Sequence, residues 1–191
     1  MKLLALAGLL AAAALLLVGA GCGSDEPSTD EGAATAPFDR AFIDAMVPHH
    51  ESAIEMARSA EAAGLSNPEL RQVADDILST QQVEIDQLKQ WRGEWFGSEK
   101  IDPDGAAALG MTDTQMGMAN GADALLNSGD VDADFAQMMI AHHEGAIEMA
   151  KLALDRAERA ELRDMAKAII AAQEREIEIM RPHAGGGMDH G

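Results

Sequence analysis

Cysteine is nearly absent from this chain: of 191 residues only Cys22 carries a thiol. That excludes a disulfide framework and a thiolate metal site, so the fold rests on its apolar core alone. Tyrosine is missing, and aromatic residues make up only 3% of the chain, which speaks against strands. Basic residues are scarce as well. Fourteen Lys and Arg face 33 Asp and Glu, a formal charge of −19, which excludes nucleic acid and anionic lipid surfaces as partners and favours cations. No run of alternating apolar and polar residues suggests a strand, and no serine or cysteine stands beside a histidine as an activated nucleophile.

The one long apolar run is at the start. MKLLALAGLLAAAALLLVGAGCGS has a single lysine, an apolar stretch from Leu3 to Val18, and then small residues. It is too short for a span with those flanks and reads as a secretory signal over residues 1–21, with Cys22 as the lipidated N-terminus of a lipoprotein. Gly19 stands three before that cysteine, where a lipobox usually has a large aliphatic residue. Residues 22–37 are polar, acidic and proline-bearing, the composition of a flexible tether. The expected location is the cell envelope, anchored to the membrane through lipid on Cys22.

What is abundant is methionine, twelve in all, and it keeps company with paired histidines. FIDAMVPHHESAIEMA, from Phe42, returns as FAQMMIAHHEGAIEMA from Phe135, identical at ten of sixteen positions. Downstream, ELRQVADDILSTQQVEIDQLKQW from Glu69 aligns with ELRDMAKAIIAAQEREIEIMRPH from Glu161. The offset changes by one in the loop between them, where length varies freely. The chain is therefore a tandem duplication of a helix–loop–helix unit. Repeat 1 spans 38–92, a crossover 93–130 and repeat 2 131–182, with a flexible tail at 183–191. Two helical hairpins packed together predict an all-α, ferritin-like four-helix bundle. Within the crossover, Thr112 and Gln115 form a capping box that predicts a short helix running to about Leu126.

Periodicity places Phe42, Met46, Ile54 and Ala57 on one face of the first helix and Glu51, Glu55 and Arg58 on the other. His49 and Met56 lie about 20° apart around that helix, and Met46 is within one turn of both His49 and His50. His142, His143 and Met149 repeat the relation, with Met138 and Met139 in reach of the pair. The histidines thus face the bundle seam. On the following helices Gln81 and Glu84, and Gln173 and Glu176, interrupt an apolar stripe, and the imidazoles are their expected partners, in the role of groups that orient metal-bound rings. Imidazole with thioether, and no cysteine, suits Cu(I), Ag(I) or Cu(II). The residues three before His49 and His142 are methionines rather than the glutamates of di-iron bundles. Pro48 has no counterpart in the second repeat, so a bend at the first pair is expected. Tail residues His183, Met188 and His190 are further candidate ligands, whereas Met111, Met116 and Met118 read as packing.

The motif F-x3-M-x2-HH-x2-AI-x-MA, found twice and followed each time by an ELR…Q-x2-E-I helix, resembles the domain-of-unknown-function 305 family. Met46, His49, His50, Met56, Met139, His142, His143 and Met149 match it, and GMTDTQM before the second copy also fits. The resemblance implies a ferritin-like bundle exported from bacteria, with some members implicated in periplasmic copper or silver binding and tolerance. The expected function is an exported, lipid-anchored protein that sequesters or hands on copper-like ions, with an envelope protein or a second copy as possible partner. A metal-dependent oxidase or hydrolase using Glu84 and Glu176, and a structural bundle with a buried His–Gln–Glu network, are the alternatives.

Overall fold

The computed structural model describes residues 38–185. The proposed signal, Cys22 and the tether, and Met188 and His190 in the tail, lie outside the described residues. Four long helices carry the fold: α1 (Phe38–Ala63), α2 (Pro68–Phe96), α5 (Val131–Arg156) and α6 (Ala160–Met180). Two short ones, α3 (Gly105–Leu109) and α4 (Asp123–Leu126), lie in the crossover. No strand occurs among the described residues. The expected all-helical bundle is what the chain forms.

Local chemistry sets the helix ends. Asn67 caps α2, its side-chain oxygen accepting from the Glu69 and Leu70 N–H groups at 2.9 and 3.2 Å, with Pro68 at the first helical position. Gly97 closes α2 in the left-handed region at φ 77°. Asp130 caps α5 through the Ala133 N–H at 3.1 Å. α1 runs unbroken through Pro48. A buried ion pair, Arg92 Nε to Asp44 Oδ1 at 2.9 Å, pins α2 to α1.

Each hairpin packs its own two helices, and the hairpins meet along α1 and α5. The polarity of that seam is fixed by a reciprocal clamp. Asp39, in the first turn of α1, accepts from the Glu158 and Arg159 N–H groups just beyond α5, at 2.9 and 3.1 Å. Its repeat mate Asp132, in the first turn of α5, accepts from the Ser66 hydroxyl at 2.7 Å and from the Ser66 N–H at 2.8 Å, just beyond α1. Each helix therefore begins where the other ends, and α1 and α5 cross antiparallel. The histidine pairs, mid-way along both helices, are brought together by that geometry alone. Burial pushes the Asp132 carboxyl up, but the bonds from Ser66 and Asn67 outweigh it and leave the carboxyl below its ordinary value.

The crossover differs from the expected 112–126 helix. The capping-box bonds do form, with the Gln115 N–H on Thr112 Oγ1 at 3.3 Å and the Thr112 N–H on Gln115 Oε1 at 3.0 Å. They close a single turn. Gly117, at φ 70°, then carries the backbone into the left-handed region and onto α5, and helix resumes only at Asp123. Propensity was overridden by close packing: a Cβ on Gly117 would stand 2.6 Å from His142 Cα. Gly145, inside α5, is the reciprocal contact, where a Cβ would run into the Met116 backbone. Residues 112–118 thus form a strap laid directly on the histidine-bearing helix.

Candidate metal centre

The two histidine dipeptides divide their side chains in the same way. One ring of each turns to the seam between repeats: His49 and His142 stack with ring centroids 3.8 Å apart and planes inclined by 35°. The other ring turns to its own hairpin partner. His143 Nε2 lies 2.5 Å from Glu176 Oε2 on α6, and His50 Nε2 lies 2.9 Å from Glu84 Oε2 on α2. The second of these contacts lacks hydrogen-bond geometry. Consecutive helical residues point about 100° apart, which is why one pair serves both a seam and a hairpin. All four rings are sealed, none more than 1% exposed.

The strap supplies the remaining partner. Met116 carbonyl oxygen sits 2.9 Å from His49 Nε2. A carbonyl only accepts, so Nε2 of His49 donates and the neutral ring keeps its lone pair on Nδ1. That nitrogen has no partner, and neither have Nδ1 of His50 and His143, Nε2 of His50, or either nitrogen of His142. Buried polar atoms are nearly always paired, so this concentration of bare imidazole nitrogens in one core is unusual. The glutamines behave otherwise than expected. Gln81 and Gln173 are buried, but Gln81 Oε1 and both amide atoms of Gln173 are unpartnered; of the glutamates one turn along, Glu176 hydrogen-bonds His143 and Glu84 only comes close to His50.

Protonation is suppressed in this cluster. Burial, then repulsion from His50 and His143, lowers the pKa of His49 from 6.5 to about 3, against the pull of the Met116 carbonyl. Burial, followed by repulsion from His49, His143 and His50, also holds His142 well below the ordinary histidine value. Both rings are neutral at physiological pH, the form in which imidazole coordinates metal.

The family model of the domain of unknown function DUF305 matches residues 39–184, and matches again over 23–92. The chain belongs to the DUF305 family. Among solved structures it is 32% identical to CopM in the Cu(I)-bound form, with a TM-score of 0.63 over 75% of this chain and 93% of that one. To CopM in the Cu(II)-bound form it is 33% identical, with a TM-score of 0.64 over 76% and 95%. To a DUF305 protein from Streptomyces coelicolor, described as secreted, it is 26% identical, with a TM-score of 0.68 over 78% and 91%. No curated protein matches.

Around the rings of this DUF305 chain the core is rich in thioether. Met46 and Met139, one turn before the histidine pairs, are fully buried, as are Met56 and Met149 within 2%. Met138 differs: it is half-buried and lines a surface cavity with Gly117 and Ala141. Among the described residues, no three His, Cys, Asp or Glu side chains are assembled for an ion. Imidazole and thioether are donor types that a soft cation takes. His183, expected in a flexible tail, is instead anchored in a short 3₁₀ turn at the end of α6, with Nδ1 3.3 Å from Asn67 Nδ2 and Nε2 3.0 Å from Glu69 Oε2. It is remote in the fold from the histidine core. The Met116 carbonyl was missed by sequence reasoning, which took Met116 for packing only; the visible signal was glycine at 145, inside a strong helical pattern, where it costs about 1 kcal/mol unless another backbone approaches.

Proposed function

We propose that this protein binds a soft metal ion, Cu(I) or Ag(I), with Cu(II) as a further candidate, at the four-histidine core, and sequesters it or hands it on. His49, His50, His142 and His143 are the candidate imidazole donors, and Met46, Met56, Met139 and Met149 the candidate thioethers, from which a subset would hold any one ion. The observation that carries this reading is the group of unpartnered imidazole nitrogens in a sealed core. Glu84 and Glu176, with the Met116 carbonyl, orient the rings from behind, as metal-bound histidines require. The copper- and silver-bound forms of CopM support the choice of ion. We further propose that residues 1–21 direct export, that Cys22 carries the lipid, and that residues 22–37 tether the bundle to the membrane; the secreted relative supports export.

The His–Glu contacts also favour a second reading, a buried polar network that only specifies helix register. One titration separates the two. The chain from Cys22 onward is offered Cu(I), Ag(I), Cu(II), Zn(II) and Fe(II), and bound ions are counted by native mass spectrometry. Tight Cu(I) or Ag(I) binding is expected, kept when residues after Arg181 are deleted. It should be lost when His49, His50, His142 and His143 are replaced by Leu with helical content retained. Binding that survives those replacements overturns the assignment, and binding of none leaves the register reading.

A further inference from the structure

We propose that the surface cavity beside the strap is an outer, transient site for a soft monovalent cation, with the Met138 thioether as its ligand, from which the ion passes to the histidine core. This rests on the reading of that core as a metal site. The four rings are no more than 1% exposed, so an ion reaches them only where the packing beside them opens. The cavity, about 250 Å³, is lined by Gly117, Asn120, Gln137, Met138 and Ala141. Ala141 precedes His142, and Gly117 packs on the His142 backbone, so the cavity and that ring belong to the same helical turn. Both ring nitrogens of His142 are without a hydrogen-bond partner. Met138 stands one turn before it, about 40° around the helix.

The lining selects the ligand class. It holds a thioether and side-chain amide oxygens but no carboxylate, so Mg²⁺ and Ca²⁺ find no charged oxygen there, while a soft ion finds sulfur. No cationic side chain lines it, and the net charge of −19 draws cations to the surface. The other cavities fit less well. A cavity of about 380 Å³ holds Arg40, Arg92 and Lys100 against a single carboxylate, Asp102, which Arg40 already pairs at 3.0 Å. The cavity at Met111 and Gln115 touches no residue adjacent to a histidine, and its Glu148 is paired with Lys151 at 2.7 Å.

The test is kinetic. Cu(I) is delivered to the whole chain as its coloured bicinchoninate complex, and transfer is followed by stopped-flow absorbance. Met138→Leu, which keeps the volume and apolar character of the side chain, should slow transfer roughly tenfold, with the final affinity and stoichiometry of the core unchanged. An unchanged rate in Met138→Leu overturns the outer site while leaving the core reading intact. An affinity that falls in step with the rate also overturns it, by making Met138 a ligand of the core itself. A wild-type chain that takes no Cu(I) from the complex removes the core reading, and the outer site with it.

Discussion

Acid should unfold the metal-free bundle through its histidines. His49 is fully buried with its pKa lowered to about 3, and His142 is lowered in the same direction. In the unfolded chain both return to about 6.5. Between these values the unfolded state binds protons that the native state refuses, so stability rises with pH there and falls on acidification. The histidine contribution is fully present above about pH 6.5 and is lost progressively as pH drops toward about 3. From pH 7 to pH 5 the His49 ring alone costs about 2 kcal/mol, a large share of the roughly 5–15 kcal/mol typical of a domain, and His142 adds to it in the same direction. Asp132, lowered below its ordinary range, loses its stabilising effect only at lower pH. Acidification also relieves repulsion among the excess carboxylates, which opposes the effect. The clean measurement is therefore a difference. Urea denaturation followed by circular dichroism at pH 7 and pH 5 is compared between the wild type and His49→Leu/His142→Leu. The wild type should lose at least about 2 kcal/mol more than the double variant. Equal pH dependence in the two would refute the account of buried neutral imidazoles.

Two further predictions test the elements that position the core. Gly145→Ala places a methyl group into the Met116 backbone, so the strap must lift; a loss of about 1–3 kcal/mol is expected, with faster amide exchange confined to residues 112–118. Asp132→Ala removes the clamp on Ser66 and Asn67 and should cost about 1–3 kcal/mol in urea denaturation, while leaving α1 and α5 helical by circular dichroism.

The inward direction of the histidines was legible because helical periodicity is a local property. Phe42, Met46 and Ile54 mark the buried face, Glu51 and Glu55 the wet one, and His49 and His50 fall with the former. The glutamates were legible for the same reason, as polar residues set in an apolar stripe. The glutamines were not: Gln81 and Gln173 stand one turn from Glu84 and Glu176 on the same stripe, and a one-turn difference in reach is a matter of interhelical offset. The crossover failed more plainly. Thr112 and Gln115 do make their capping box, yet whether a helix grows from it depended on Gly117 meeting the His142 backbone.

The sequence by itself determined the duplication, the four amphipathic helices, and the presence of buried histidine and thioether in each copy. Those follow from periods and short-range hydrogen bonds, which act within a few residues of their origin. Only the tertiary structure decided that His49 of one copy meets His142 of the other. Asp39 and Asp132 each bind the loop of the opposite hairpin, which forces α1 and α5 antiparallel and makes their midpoints coincide. The strap then closes over that midpoint and holds His49 through the Met116 carbonyl. These contacts join residues far apart in the chain, and no local pattern encodes the distance between them.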